Sequence, residues 1–265
     1  MARLARLAFL VAMGMANACM EYSASPIMYS PGGRVLQIEF ARETVKRGSP
    51  VVGIRGRNGL VVVVSQKNSS ENATVQGRRK FDMVEENICL AWAGLATDAV
   101  LLAKLARVFC KHHREVFGTS VSIENLSDEL ATALHQQTRT AGRRPLGIGA
   151  LVAGIDEVYG AQLYTIDTQG RFEGWRAIAI GGQGQEKSNE VLADLLRSGM
   201  CDKSVGEIVA ELQRDSCRLL ASLFPTGREP ETTVQLCTCV LTAKGQGSHE
   251  WAVEEVSYSS HNVLQ

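Results

Sequence analysis

Two short apolar runs, VVGIRG at Val51 to Gly56 and LVVVVS at Leu60 to Ser65, are separated only by the turn sequence RNG. Side chains along a strand alternate between the two faces of a sheet. A hairpin with β-branched residues on both faces has no side to offer to water, so layers must cover it above and below. ICLAWAGL, Ile88 to Leu95, reads as another strand of this kind. The stretches GIGALVAGID and AQLYTID read as a strand pair, GRFEGWRAIAIGG as one or two strands, TVQLCTCVLTA as a strand and EWAVEEV as a last short piece.

Helical spacing appears in three places between these strands. Ser30-Pro31 reads as an N-cap and N1 pair for a helix ending at Lys46-Arg47-Gly48, with Gly48 expected as a left-handed C-terminal residue. Residues 96–117 and about 123–140 carry two consecutive helices, the first with Val100, Leu101, Ala103, Lys104 and Val108 in its spacing. Two more helices are expected near 184–197 and 204–222. Strands, two helices, strands, two helices and a strand describe an α/β chain of the α+β kind. The expected form is a four-layer α-β-β-α sandwich of two antiparallel sheets flanked by helices. No repeat or Pro/Gly linker divides it, so residues 20–265 are expected to form one domain, with Gln66 to Lys80 as its long polar loop. Trp92 and Trp175 are expected in strands and in the core.

Lys plus Arg total 28 and Asp plus Glu total 28, so no overall basic excess suits nucleic acid or an anionic membrane surface. Seven cysteines without a CxxC pair suit reduced thiols rather than a zinc site or a disulfide framework. Residues 1–19 object to a cytosolic reading. Arg3 and Arg6 precede LAFLVAMGMANAC, with Ala16 and Ala18 at signal-peptidase spacing, and N-x-[ST] sequons stand at Asn68, Asn72 and Asn125. A secreted, glycosylated binding protein is therefore one alternative reading.

The stretch YSPGGRVLQIEFARETVKRGS resembles the signature of proteasome α-type subunits, and the likeness continues through GIRGRNGLVVVVSQK, AWAGLATDA, GRRPLGIGALVAGID and WRAIAIG. GIRGR and GRRP are similar to the α4-like type. The resemblance implies the N-terminal-nucleophile hydrolase fold, in agreement with the order of elements. It also implies a non-catalytic subunit of the heptameric outer ring of the core complex, serving ubiquitin-dependent protein breakdown in cytoplasm and nucleus. Its partners would be other α-subunits laterally, β-subunits axially, and activators or a regulatory particle, with no cofactor, metal, nucleic acid or membrane.

Sister β-subunits cleave peptides with an N-terminal threonine whose own amine takes the proton. The corresponding position here is Ser49, whose nitrogen is a mid-chain amide and no base. An active hydrolase would require processing at Ser49, the second alternative. Neither the five histidines nor any G-x-S-x-G elbow supplies another catalytic constellation.

By the same resemblance the gating tail corresponds to Tyr22, Ser23, Pro31 and Phe40, with Ser23 where the family has aspartate and Phe40 where it has tyrosine. Both changes remove polar partners, so a gate resting mostly on packing is expected. The activator-tail pocket corresponds to Gly48 and Lys80, the lysine meeting a C-terminal carboxylate, with Arg78 and Arg79 raising the local potential. A solvated basic loop is the alternative for Lys80. The spacing from Met20 to Tyr22 and Ser30-Pro31 is that of a complete α-type tail, so residues 1–19 are expected to be an extension ahead of a family-like start.

Overall fold

The computed structural model describes residues 28–57, 59–67, 80–156, 158–214, 234–244 and 248–258. Helix α1, Leu36–Arg47, leads into the hairpin β1, Val51–Arg55, and β2, Gly59–Lys67. Strands β3, Phe81–Glu85, and β4, Ile88–Gly94, precede helices α2, Ala96–Phe117, and α3, Ile123–Arg139. Then come β5, Ile148–Asp156, β6, Gly160–Ile166, β7, Phe172–Gly174, and β8, Ala177–Ile180. Helix α4, Gln185–Arg197, a 3-10 turn at Met200–Asp202, helix α5, Val205–Arg214, and strands β9, Val234–Lys244, and β10, Ser248–Tyr258, complete the order.

The strands form two five-stranded sheets, ordered β10-β9-β2-β1-β8 and β3-β4-β5-β6-β7, with every pairing antiparallel. The expected α-β-β-α sandwich is what forms. Strand β4 explains how the layers fit. Its large residues Ile88, Leu90 and Trp92 point outward, where Leu102, Ala106, Leu126, Leu130 and Leu134 of α2 and α3 cover them. Its small residues Cys89, Ala91 and Ala93 point inward and let the second sheet approach, bringing Val51, Leu60, Val62, Leu151 and Ile180 together. On the far side Val52, Ile54, Val61 and Ala179 pack beneath Leu192 of α4 and Val205 and Ile208 of α5. Alternation along one strand thus serves two different cores.

Four local expectations differ from the structure. Ser30 closes a turn rather than capping α1: its hydroxyl accepts the Arg34 N–H at 3.2 Å and its carbonyl accepts the Gly33 N–H at 2.8 Å. Gly33, at φ +73°, turns the chain there, and the helix starts at Leu36. Gly48 is extended (φ −69°, ψ 162°), not left-handed. On α2 the buried residues are Asp98, Ala99, Leu102, Ala103, Ala106 and Cys110, whereas Leu101, Leu105 and Val108 are exposed. Alanines let the helix lie close to the sheet, so the core stripe is the one with less apolar bulk. Trp175 lies outside any strand and is exposed, its indole N–H donating to the Thr165 hydroxyl at 2.9 Å, while Trp92 is core as expected.

Asn125 sits in the first turn of α3, its N–H held by the Ser122 hydroxyl at 3.2 Å, and the next two sequon residues, Leu126 and Ser127, are buried. Asn68, Asn72, most of the long polar loop and the expected helix beyond residue 214 lie outside the described residues.

Asp98, in the first turn of α2, ties that helix to the approach to β5. Its carboxylate accepts both Arg144 guanidinium nitrogens at 2.7 Å and the Gly147 N–H at 3.0 Å. Burial pushes the carboxyl up, but Arg144 and the Gly147 N–H more than offset it and hold it below the usual carboxylate range. The folded state is then the more acidic, so the stability from this group is complete above the ordinary value near pH 4. It is lost as pH falls through the lower folded-state value. Asp98→Ala is expected to cost about 2–3 kcal/mol in urea unfolding at neutral pH, by removing a buried anchor and stranding an N–H. The difference from the parent should shrink as the solution is acidified.

Candidate functional site

Helix α1 carries Lys46 and Arg47 in its last turn, and the chain leaves it through Gly48, whose N–H bonds the Val45 carbonyl. Gly48 then runs against the end of β4. A Cβ there would overlap the Gly94 amide nitrogen and stand 2.9 Å from the Gly94 Cα. Gly94, at φ +109°, rests in turn on Gly147, whose carbonyl a Cβ at Gly94 would overlap and which also accepts the Leu95 N–H at 3.0 Å. Three backbones touch where side chains would hold them apart.

Lys80 reaches the same point from the start of β3. Its carbonyl accepts the Trp92 N–H at 3.1 Å, which lays the residue alongside β4, and its Nζ lies 3.5 Å from the Gly94 carbonyl oxygen. The side chain is half-buried, and burial pulls the ammonium below the usual lysine range. Among the described residues no carboxylate pairs with it. A cation this desolvated ordinarily carries a counter-charge.

The structure therefore brings Gly48 and Lys80 to one place, with Gly94 between them. Of the residues expected in a gating tail, Pro31 is exposed in the turn ahead of α1 and Phe40 is 53% exposed on α1. Tyr22, Ser23, Arg78 and Arg79 lie outside the described residues. Gly94 and Gly147 were not singled out from sequence, although the first closes AWAG and the second follows GRRPL.

Ser49 is half-buried between α1 and β1. Four residues ahead of it, Val45 at the end of α1 packs against the core between the sheets, and the position a Gly149 Cβ would take is 3.0 Å from its Cγ1. Gly181 fits between Ala93, the Val45 carbonyl and the Ser49 carbonyl. Neither described histidine with a ring hydrogen bond faces Ser49: His113 Nδ1 meets the Thr119 carbonyl and His135 Nδ1 the Gln169 carbonyl, each at 3.1 Å.

Two face-to-face antiparallel sheets with helices outside both are the architecture of the N-terminal-nucleophile hydrolase class of fold. The family model described as "Proteasome subunit" matches residues 45–215. The chain is 37% identical over 161 residues to "Proteasome subunit alpha type-7-like" of Macaca fascicularis and, equally, to "Proteasome subunit alpha type-8" of Mus musculus. Those matches cover 61% of this chain and 64% of each relative, so the chain spans less than two thirds of their length. It is 31% identical to "Proteasome subunit alpha type-7" of Dictyostelium discoideum over 71% of this chain and 74% of that protein. The chain belongs to the proteasome subunit family and is of its α type.

The glycine contact gives a direct test. Gly48→Ala is expected to unfold about 2 kcal/mol more easily, because a methyl group must push β4 and α1 apart. Thermal melting of the full chain checks it. An unchanged melting temperature would mean that the close approach is not part of the native packing.

Proposed function

We propose that this chain is a non-catalytic subunit of the outer ring of the proteasome core, and that Lys80 and Gly48 receive the C-terminal carboxylate of an activator tail. The observation that carries the second part is the half-buried Lys80 ammonium, 3.5 Å from a carbonyl and without a carboxylate among the described residues. An incoming carboxylate would supply the missing counter-charge, and charge-assisted bonds to a preformed, partly dry ammonium are the stronger kind. The neighbouring Gly48 and Gly94 have no side chains to keep a peptide backbone away.

The non-catalytic reading is supported by the end of α1. Val45 packs against the core between the sheets and Gly48 lies against Gly94, and cleavage at Ser49 would detach the helix that carries these contacts. Ring membership is supported by what α1 leaves uncovered. Only Ala41 of the helix is buried, while Phe40 and, ahead of the helix, Tyr29 (71%) stay open to solvent. An apolar face of this sort suits a neighbour placed head to tail in a closed ring. On this reading Tyr22, Ser23, Pro31 and Phe40 belong to the gate, with Phe40 contributing packing alone. The particle would work in cytoplasm and nucleus.

Two measurements test the proposal. In core particles assembled with a Lys80→Met chain, binding of a fluorescent activator-tail peptide to this subunit's pocket should be lost. The melting temperature of the variant chain should be unchanged or higher, since a desolvated ammonium is removed. Retained binding would sink the docking role of Lys80. Intact-mass analysis of the chain from assembled particles should find no species beginning at Ser49, and such a species would overturn the non-catalytic reading.

A further inference from the structure

The β1–β2 turn, the start of β6 and the 3-10 turn enclose a cleft of about 440 Å³ remote in sequence from Lys80. Three of the residues lining it are arginines, Arg55, Arg57 and Arg176, and one is an acid, Asp202. All three arginine side chains are exposed, and none forms an ion pair among the described residues. In a chain with 28 basic and 28 acidic residues, this is a local excess of positive charge. The backbone holds it in place. The Arg55 N–H donates to the Arg176 carbonyl at 2.7 Å and the Arg57 N–H to the Lys203 carbonyl at 3.0 Å.

The rest of the cleft fits a peptide better than a small ion. Tyr159 lines it with 65% of its surface exposed, and Val158 beside it is 79% exposed, so the rim offers apolar contact. At Gly160 a Cβ would meet nothing within 4 Å, which leaves the wall open to an approaching main chain. Arginine and tyrosine are the residue types that carry most of the affinity in protein interfaces. A guanidinium fork matches a carboxylate in two hydrogen bonds.

We propose that this cleft is a docking site for an acidic segment of a partner protein, with carboxylates on Arg55, Arg57 and Arg176 and an apolar side chain against Tyr159. It goes beyond the activator-tail reading, since it uses different residues and internal carboxylates rather than a chain terminus.

The test is fluorescence anisotropy of the full-length chain with fluorescein-labelled hexaglutamate, and with hexaglutamine as the neutral control. The glutamate peptide should bind, bind less as sodium chloride is raised, and outcompete its neutral counterpart. The double variant Arg55→Gln/Arg176→Gln should weaken binding by roughly tenfold or more. Arg139→Gln/Arg143→Gln, which removes the same charge from the end of α3 and the turn after it, should bind as the parent does. Arg57→Gln alone gives an independent reading should the double variant melt abnormally, and it too should weaken binding. Equal losses in both double variants would reduce the effect to net charge and overturn the site. Binding of inorganic phosphate without hexaglutamate would overturn the peptide assignment. Because the assay needs no assembled ring, its failure would leave the activator-tail reading untouched, and the reverse also holds.

Discussion

The backbone stack of Gly48 on Gly94 on Gly147 is the contact on which the remaining geometry depends. It joins the end of α1, the end of β4 and the approach to β5 at distances that no side chain permits. Each neighbour of the stack is then fixed by an ordinary bond. The Gly147 carbonyl takes the Leu95 N–H, and the Gly147 N–H is held by Asp98, which Arg144 neutralises. Helix α2 therefore starts at a point determined by the same three glycines that seat α1. Lys80 gains its position from the pairing of β3 with β4 and meets the stack at the Gly94 carbonyl.

A consequence follows for the chemistry of the fold. A sandwich with a strand opening at its mouth can expose a nucleophile only if that mouth is empty. Here Val45 packs against the core between the sheets, and Gly149 and Gly181 have no side chains to collide with it. The valine that seats α1 beside Gly149 also presents its carbonyl to Gly181, which the Ser49 carbonyl adjoins.

Much of this was legible in the sequence because it rests on periodicity. The α2 range was read to the residue, and the two sheets follow from runs whose alternation is plain, such as ICLAWAG. The misreadings share a cause, which is that small residues carry no hydrophobic signal while deciding how closely layers pack. Ala99, Ala103 and Ala106 turn α2 toward the sheet on a face that propensity to bury bulk would not choose, leaving Leu101, Leu105 and Val108 outside. Gly48 was read as a helix terminator because that is glycine's commonest reason to follow a helix. Its actual constraint is a neighbour some forty residues away in sequence, which no local pattern encodes. Lys80 and Gly48 came from likeness to a family, and only the geometry gives them a common partner.

Charge adds a last step. A chain whose formal charges cancel could be expected to neutralise its cations internally, and many are so used: Arg107 with Asp82, Arg114 with Glu85, Arg144 with Asp98. These pairs hold α2 to β3 and to the approach to β5. Among the described residues, Lys80 and the arginines of the β1–β2 cleft make no such pair. Keeping the Lys80 ammonium desolvated costs free energy in the isolated chain. An anion brought against it would offset that cost. A carboxylate paired with Lys80 inside the subunit would stabilise the free chain and compete with any incoming anion for the same ammonium.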